Sequence, residues 1–370
     1  MNLIKTRRET LLQPLQAVSG IIERRHTLPI LSNVLVTSDS DAGLSFVATD
    51  IEIEITARTA VDGAGAASSM TVGARKLLDI LRSLPDESEV SLALQDKKLQ
   101  VKSGKSRFQL QTLPAEDFPR MAVTEAGGVT LRLPQKALKQ RLALVQYAMA
   151  QQDIRYYLNG LLMVVEDAEL KLVATDGHRL AVVTSALPEK TDTRQEVILP
   201  RKTIIELTKL LTDTDDPVEI HLSANQARFT LDGVILVSKL VDGKFPDYTR
   251  VIPQNHPKHL RLNRQVLSQA LLRAAILSTE KFRGVRWVLA DGTLRVSCTN
   301  TEQEEAQEEL DVDYKGESLD IGFNVSYLLD VLNNLDSEEI DCALGDAASS
   351  ALITVPGRDD FKYVVMPMRI

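Results

Sequence analysis

The sequence predicts an α+β protein built from three copies of one folding unit, each with two helices packed on antiparallel strands. Three recurrences predict it. Val47-Ala48-Thr49-Asp50 returns as Val173-Ala174-Thr175-Asp176 and, more loosely, as Val296-Ser297-Cys298-Thr299-Asn300, at intervals of 126 and 124 residues. Amphipathic helical patterns return with the same period. So does a Phe-Pro pair, Phe118-Pro119 and Phe245-Pro246, 127 residues apart. A single short match has little weight; several markers in register are the signature of a repeat architecture.

Each third opens on a helical pattern. Leu11, Leu15, Val18 and Ile22 form the first; Leu138, Leu142, Val145 and Met149 the second; Leu267, Leu271, Ala274 and Leu277 the third. Steps of three and four place these residues on one helical face. Pro134 stands near the start of the second, where proline is tolerated. Pro14 lies deeper in the first and is expected to bend or shorten it. A second helix recurs as Leu77-Leu81-Leu84, Ile204-Leu207-Leu211 and Val325-Leu328-Leu332-Leu335. Between the helices lie alternating stretches, among them 92–94, 99–101, 108–110, 161–165, 170–173, 180–183 and 231–237. Asp232-Gly233, Asp242-Gly243 and Asp291-Gly292 supply turns. Boundaries fall at Gly127-Gly128 and in the loop from Pro253 to Pro257, giving domains 1–127, 128–254 and 255–370.

Composition sets bounds. The 370 residues are 44% hydrophobic and 25% charged, as in an ordinary globular protein, and only 4% aromatic, so the cores must be aliphatic. No run of 18 apolar residues predicts a membrane span, and the first nine residues carry no apolar signal region. Two cysteines, Cys298 and Cys342, have no metal-like spacing and fit a reducing cytoplasm.

The net charge of −8 speaks against nucleic acid. Its distribution speaks for it. The six helical segments together carry +12, leaving −20 for the remainder. Glu has a helix propensity comparable to Lys and Arg yet is scarce on these segments, so propensity alone does not account for the split. Basic helices turned toward one surface would attract a polyanion there and discourage it elsewhere.

Catalytic patterns are missing: there is no Walker loop, nucleophile elbow, zinc pattern or dinucleotide fingerprint. His256 and His259 lie three apart, but no Cys or further His supports a metal site. Asp176-Gly177-His178-Arg179 resembles a catalytic cluster in isolation. Its equivalents in the other repeats are Ile51 to Glu54 and Thr301 to Glu304, so the His and Arg belong to one unit only. That suits a binding site in the middle repeat better than chemistry.

Several longer motifs, in order, resemble the bacterial DNA polymerase III beta sliding clamp family. They are 27–31 (Thr-Leu-Pro-Ile-Leu), 153–160 (Asp-Ile-Arg-Tyr-Tyr-Leu-Asn-Gly), 174–180 (Ala-Thr-Asp-Gly-His-Arg-Leu), 239–248 (Lys-Leu-Val-Asp-Gly-Lys-Phe-Pro-Asp-Tyr), 280–285 (Glu-Lys-Phe-Arg-Gly-Val), 323–327 (Phe-Asn-Val-Ser-Tyr) and 364–369 (Val-Val-Met-Pro-Met-Arg). The resemblance implies a DNA clamp fold: a head-to-tail homodimer of six domains closed into a ring, helices inside and sheets outside. It implies a tether for polymerases, placed by a clamp loader, with no cofactor and no chemistry of its own. The partners it implies are double-stranded DNA held without sequence specificity, a second copy of the chain, the DNA polymerase III alpha subunit and the clamp-loader delta subunit. Translesion polymerases and mismatch-repair proteins follow by the same resemblance.

Carried over residue by residue, the resemblance implies three sites. The first is a peptide pocket walled by Leu158, Thr175, Gly177, His178, Arg179 and Leu180, and by Pro246, Arg250 and Val251. Val364, Val365, Met366, Pro367, Met368 and Arg369 close it, with Arg155 and Tyr157 at the rim and Ser350 nearby. Independently, a Val-Val-Met-Pro-Met stretch is a poor exposed segment unless something covers it, and Met suits surfaces that accept several partners. The second is a DNA surface of Arg25, Arg75, Gln152, Tyr156, Tyr157 and Lys202. The segment Glu23-Arg24-Arg25-His26 departs from the small, Gly-rich stretch of the family, which leaves open which Arg reaches DNA. The third is a subunit seam. Lys76, Lys105 and Arg107 oppose Glu304, Glu305 and Glu308 around an apolar centre of Phe108, Leu110, Ile276 and Leu277.

Overall fold

The structure, a computed structural model, describes residues 2–22, 28–39, 43–61, 67–123, 127–279 and 282–370. The first repeat runs β1 (Asn2–Arg7), α1 (Arg8–Ser19), β2 (Asn33–Asp39), β3 (Gly43–Thr49), β4 (Ile53–Thr59), β5 (Ser68–Gly73), α2 (Ala74–Ser83), β6 (Glu89–Gln95), β7 (Lys98–Ser103) and β8 (Ser106–Leu113). The second runs β9 (Val129–Pro134), α3 (Gln135–Ala143), β10 (Gly160–Thr175), β11 (Arg179–Pro200), α4 (Arg201–Leu210), β12 (Pro217–Leu222), β13 (Gln226–Leu231) and β14 (Val234–Lys239). The third runs β15 (Lys258–Asn263), α5 (Arg264–Ala274), β16 (Gly284–Ala290), β17 (Thr293–Thr299), β18 (Glu305–Asp311), β19 (Leu319–Asn324), α6 (Val325–Asn334), β20 (Glu339–Leu344), β21 (Ala351–Val355) and β22 (Arg358–Val365).

The order strand, helix, strands, helix, strands recurs three times. In the middle copy β10 and β11 are long, and each spans the positions of two strands of the first repeat. Their pairing shifts register between Val165 and Glu169, where Asp167 takes a positive φ of 52°. The stretches 161–165 and 170–173, separate in the sequence reading, therefore lie on one element.

The helices form where apolar residues recur every three or four positions. On α2, Ala74, Leu77, Leu78 and Leu81 are buried; on α6, Val325, Leu328, Val331 and Leu332 are. Pro14 does not shorten α1, which at 12 residues is the longest of the six described helices. Its ring is buried beside Leu11, Leu15 and Val18, and that burial offsets the lost backbone bond. The apolar patterns outrun the helices themselves. Ile22 follows the end of α1, and Val145 and Met149 follow α3, yet all three are buried in turns.

The chain packs as two compact units, 1–137 with 202–240, and 138–201 with 241–370. In the first, one twelve-stranded sheet has the order β1-β6-β7-β8-β5-β2-β3-β4-β14-β13-β12-β9. Strand pairing thus crosses from the first repeat to the second at β4 and β14, where Ile55 faces Leu236. The second unit holds a six-stranded sheet, β10-β11-β22-β21-β20-β15, and a four-stranded sheet, β18-β17-β16-β19. Here β11 and β22 join the second repeat to the third.

The recurring residues have one structural role in each copy. Phe118 packs on Leu35 and Val47; Phe245 packs in a cluster with Leu162 and Val173, the residues at the matching places. The recurring Thr-Asp pair makes the same turn. Thr49 Oγ donates to the Ile53 carbonyl, and Asp50 Oδ1 accepts from the amides of Glu52 and Ile53. Thr175 Oγ donates to the Arg179 carbonyl, and Asp176 Oδ1 accepts from His178 and Arg179. Asn300 Oδ1 accepts from Glu302 and Glu304 in the third copy. A short polar side chain that caps its own turn is the reason for the repeat.

Candidate functional site

In the second unit, the Thr175–Arg179 turn, the end of β22 and the 245–251 segment converge on a cavity of about 360 Å³, the size of a small-ligand or side-chain pocket. Its lining includes Arg155, Tyr157, Leu158, Thr175, Gly177, His178, Arg179, Leu180, Pro246, Val251, Ser350, Val364 and Met366 from the sequence reading. Asp247 and Tyr248 also line it and were missed, although both stand in the 239–248 motif.

The floor is made by Leu158, which ends the short 3-10 turn 156–158, and by the strand residues Leu180 and Val364, which stand opposite each other where β11 and β22 pair; all three are buried. The rim is polar and fixed. Arg155 donates from Nε and Nη2 to the two oxygens of Asp153, at 3.0 and 2.8 Å, and from Nη2 to the Asp176 carbonyl. Those bonds from Arg155 hold the Asp153 carboxyl down to about 2. Asp153 is tied in turn to Asn159 by reciprocal bonds of 2.9 and 2.8 Å. Met366 stands over the opening, 48% exposed, while its amide donates to the His178 carbonyl at 2.8 Å.

Arg179 supports the site from behind. Its side chain is nearly buried, and it donates to Asp176, Asp330 and the Tyr147 carbonyl. Its guanidinium lies over the Tyr327 ring. Burial works against its charge, but Tyr363, Asp330 and Asp176 outweigh that and raise its pKa. Tyr327 stands in the 323–327 motif, but Tyr147 lies in no quoted motif, and only its contacts with Arg179 reveal it.

Several expected pocket residues lie elsewhere. Val365 is fully buried as the end of β22 and faces Arg179 in the strand register, because its side chain alternates away from the cavity. Arg250 points outward in an ion pair with Asp247. Met368 and Arg369 line a second cavity with Leu277, Phe282 and Gly284, and the Met368 amide donates to the Gly322 carbonyl. Pro367 belongs to neither lining.

Of the expected DNA residues, Arg75 and Lys202 lie in the first unit and Gln152, Tyr156 and Tyr157 in the second. Arg25 lies outside the described residues. Arg75 is exposed on α2 and donates to the Ile22 carbonyl. Gln152 is exposed at a positive φ of 57°, and Tyr156, 56% exposed, stacks edge-on against Tyr157. Lys202 is not a free surface cation: its ammonium pairs with Asp50 and donates to the Ile21 carbonyl.

At the expected seam, Lys76, Lys105 and Arg107 are exposed, and Phe108, Leu110 and Leu277 are half-buried. Ile276 is 76% exposed. Glu305 is exposed, but Glu308 is clasped by the Arg273 fork at 2.9 and 2.6 Å, and Glu304 accepts from Asn300. The acidic run is therefore partly neutralised within its own repeat. His256, weighed as a metal ligand, bonds the Ser350 carbonyl instead, and no metal-ligand cluster occurs among the described residues. No described helix is long and apolar enough to cross a membrane.

A thrice-repeated α+β unit with an apolar cavity of side-chain size defines a clamp-type scaffold. The N-terminal, central and C-terminal domain models of the DNA polymerase III beta subunit match residues 1–122, 132–247 and 249–369. The beta sliding clamp of Pseudomonas putida is 49% identical over 364 residues, 98% of each chain, and that of Escherichia coli K12 is 47% identical over 363. A crystal structure of the DNA polymerase III subunit beta of Pseudomonas aeruginosa superposes with a TM-score of 0.95, at 47% identity over all of both chains. Another structure of that organism's sliding clamp, bound to griselimycin, gives 0.94. The chain belongs to the DNA polymerase III beta subunit family, the beta sliding clamps: processivity factors without catalytic activity of their own.

Proposed function

We propose that two copies of this chain close head to tail into a ring around duplex DNA, and that each copy offers its cavity to short peptides of the proteins the ring tethers. The observation that carries the ring is a pair of unlike open strand edges. In β8, residues 106–111 pair only with β7 among the described residues, and β18 lies at the edge of its sheet. An open edge invites another strand. Because one edge belongs to the first repeat and the other to the third, the contact between copies is heterologous, and such contacts can close into rings.

The repeats serve as domains 1–127, 128–254 and 255–370. Arg75, Gln152, Tyr156 and Tyr157 face the DNA with the basic helices, and Arg25 joins them. Phosphate attraction without base contacts permits sliding, and the exposed ring of Tyr156 suits stacking on single-stranded template. The peptides come from the alpha subunit of the polymerase and the delta subunit of the clamp loader, with translesion polymerases and mismatch-repair proteins as further users. The setting is the cytoplasm.

The test is topological. A ring placed on circular DNA by a clamp loader stays bound when salt is raised and leaves when the circle is cut. Equal loss from circular and linear DNA overturns encirclement. Sedimentation at the mass of one 40.9 kDa chain, across micromolar concentrations, overturns the dimer.

A further inference from the structure

Resting on that DNA-encircling function, we propose that Asp50 restrains DNA binding by holding Lys202 in an internal ion pair, so that phosphate must displace a carboxylate to gain this cation. Lys202 stands in the first turn of α4, on one of the basic helical segments. Its ammonium is drawn inward onto Asp50 and the Ile21 carbonyl. Asp50 is a rigid partner. Its side chain is 10% exposed, and its other oxygen is held by the amides of Glu52 and Ile53. A fixed acceptor costs little to reorganise and competes well against a phosphate reached across solvent.

The repeats show that this carboxylate is not required for the turn. Asn300 stands at the place of Asp50 in the third copy and caps its turn through Oδ1 with no charge. Asp176, at that place in the second copy, spends its second oxygen on Arg179 of its own turn. Only in the first copy does the capping carboxylate neutralise a helix cation of the next repeat. Substituting Asp50→Asn therefore keeps the cap and removes the carboxylate charge that Lys202 pairs with.

The experiment measures binding of full-length wild type, D50N, K202A and the double variant to a labelled primer–template duplex, by fluorescence anisotropy across about 50–200 mM salt. D50N is expected to bind about three- to tenfold more tightly at the low end, with a log–log salt slope steeper by about 0.9, the signature of one more phosphate contact. The double variant must lose that gain, because it passes through Lys202. Equal binding by D50N and wild type overturns the restraint. So does a gain kept in the double variant, which would reflect only the removal of a negative charge. Melting temperatures of D50N and wild type should agree within a few degrees, since the turn is preserved. Failure of wild type itself to bind DNA in a salt-dependent way would instead defeat the DNA function, and the role of Asp50 with it.

Discussion

The Arg179 guanidinium carbon lies 4.4 Å from the centroid of the Tyr327 ring, which joins the turn of the second repeat to a helix of the third. The same group reaches Asp176 and the Tyr147 carbonyl, at 3.1 and 2.5 Å. A planar fork stacked on an aromatic face is not replaced by an ammonium. Arg179→Lys should lower unfolding stability by about 2–4 kcal/mol, because nearly buried acceptors lose their donors. An unchanged denaturation midpoint would show that Arg179 is a surface ligand rather than a support.

Gly177 takes a φ of +89°, and a Cβ there would stand 2.9 Å from both terminal nitrogens of Arg155. Gly177→Ala should cost about 1–2 kcal/mol in backbone strain. It should also push Arg155 off the rim and weaken peptide binding. Full stability together with full peptide affinity would contradict both effects.

Met366 is held by its backbone amide, while its side chain is half exposed over the cavity. Met366→Ala should therefore leave the melting curve unchanged and weaken a polymerase-derived peptide roughly five- to tenfold, the loss of one apolar anchor. Calorimetry with that peptide decides it; identical affinity removes Met366 from the site.

Lys105 lies in the exposed turn between β7 and β8, and Arg107 is the second residue of β8. Exposed ion pairs contribute only about 0–1 kcal/mol each. Changing both to Glu should raise the dimer dissociation constant by about tenfold at low salt, with the effect fading as salt screens it. Phe108→Ala should weaken the dimer at all salt concentrations. Sedimentation that shows the reverse salt pattern would misplace the seam.

Asp153 has its carboxyl drawn down to about 2, first by the side-chain bonds of Arg155 and then by its backbone amide. A depressed carboxylate stabilises the fold above its unfolded pKa, near 3.9, and loses that contribution as pH falls toward about 2. The rim should thus keep its Asp153–Arg155 fork throughout the neutral and mildly acidic range. A carboxyl carbon titration by NMR should show its midpoint near 2; a midpoint near 4 would mean the fork does not persist in solution.

The sequence by itself determined the three copies, their element order and the residues that repeat. Val47, Val173, Phe118 and Phe245 were legible because the same local packing demands the same residue at the same interval. Much of the pocket was legible too, since its motifs are contiguous. Only tertiary structure decided the partners of each charge. Lys202 and Asp50 stand 152 residues apart, as do Arg179 and Asp330 at 151, and no local pattern pairs them. It also decided which face each terminal residue shows. Val365 turned inward and Met366 outward because strand alternation and pairing with β11 fix side-chain direction, and hydrophobicity alone does not.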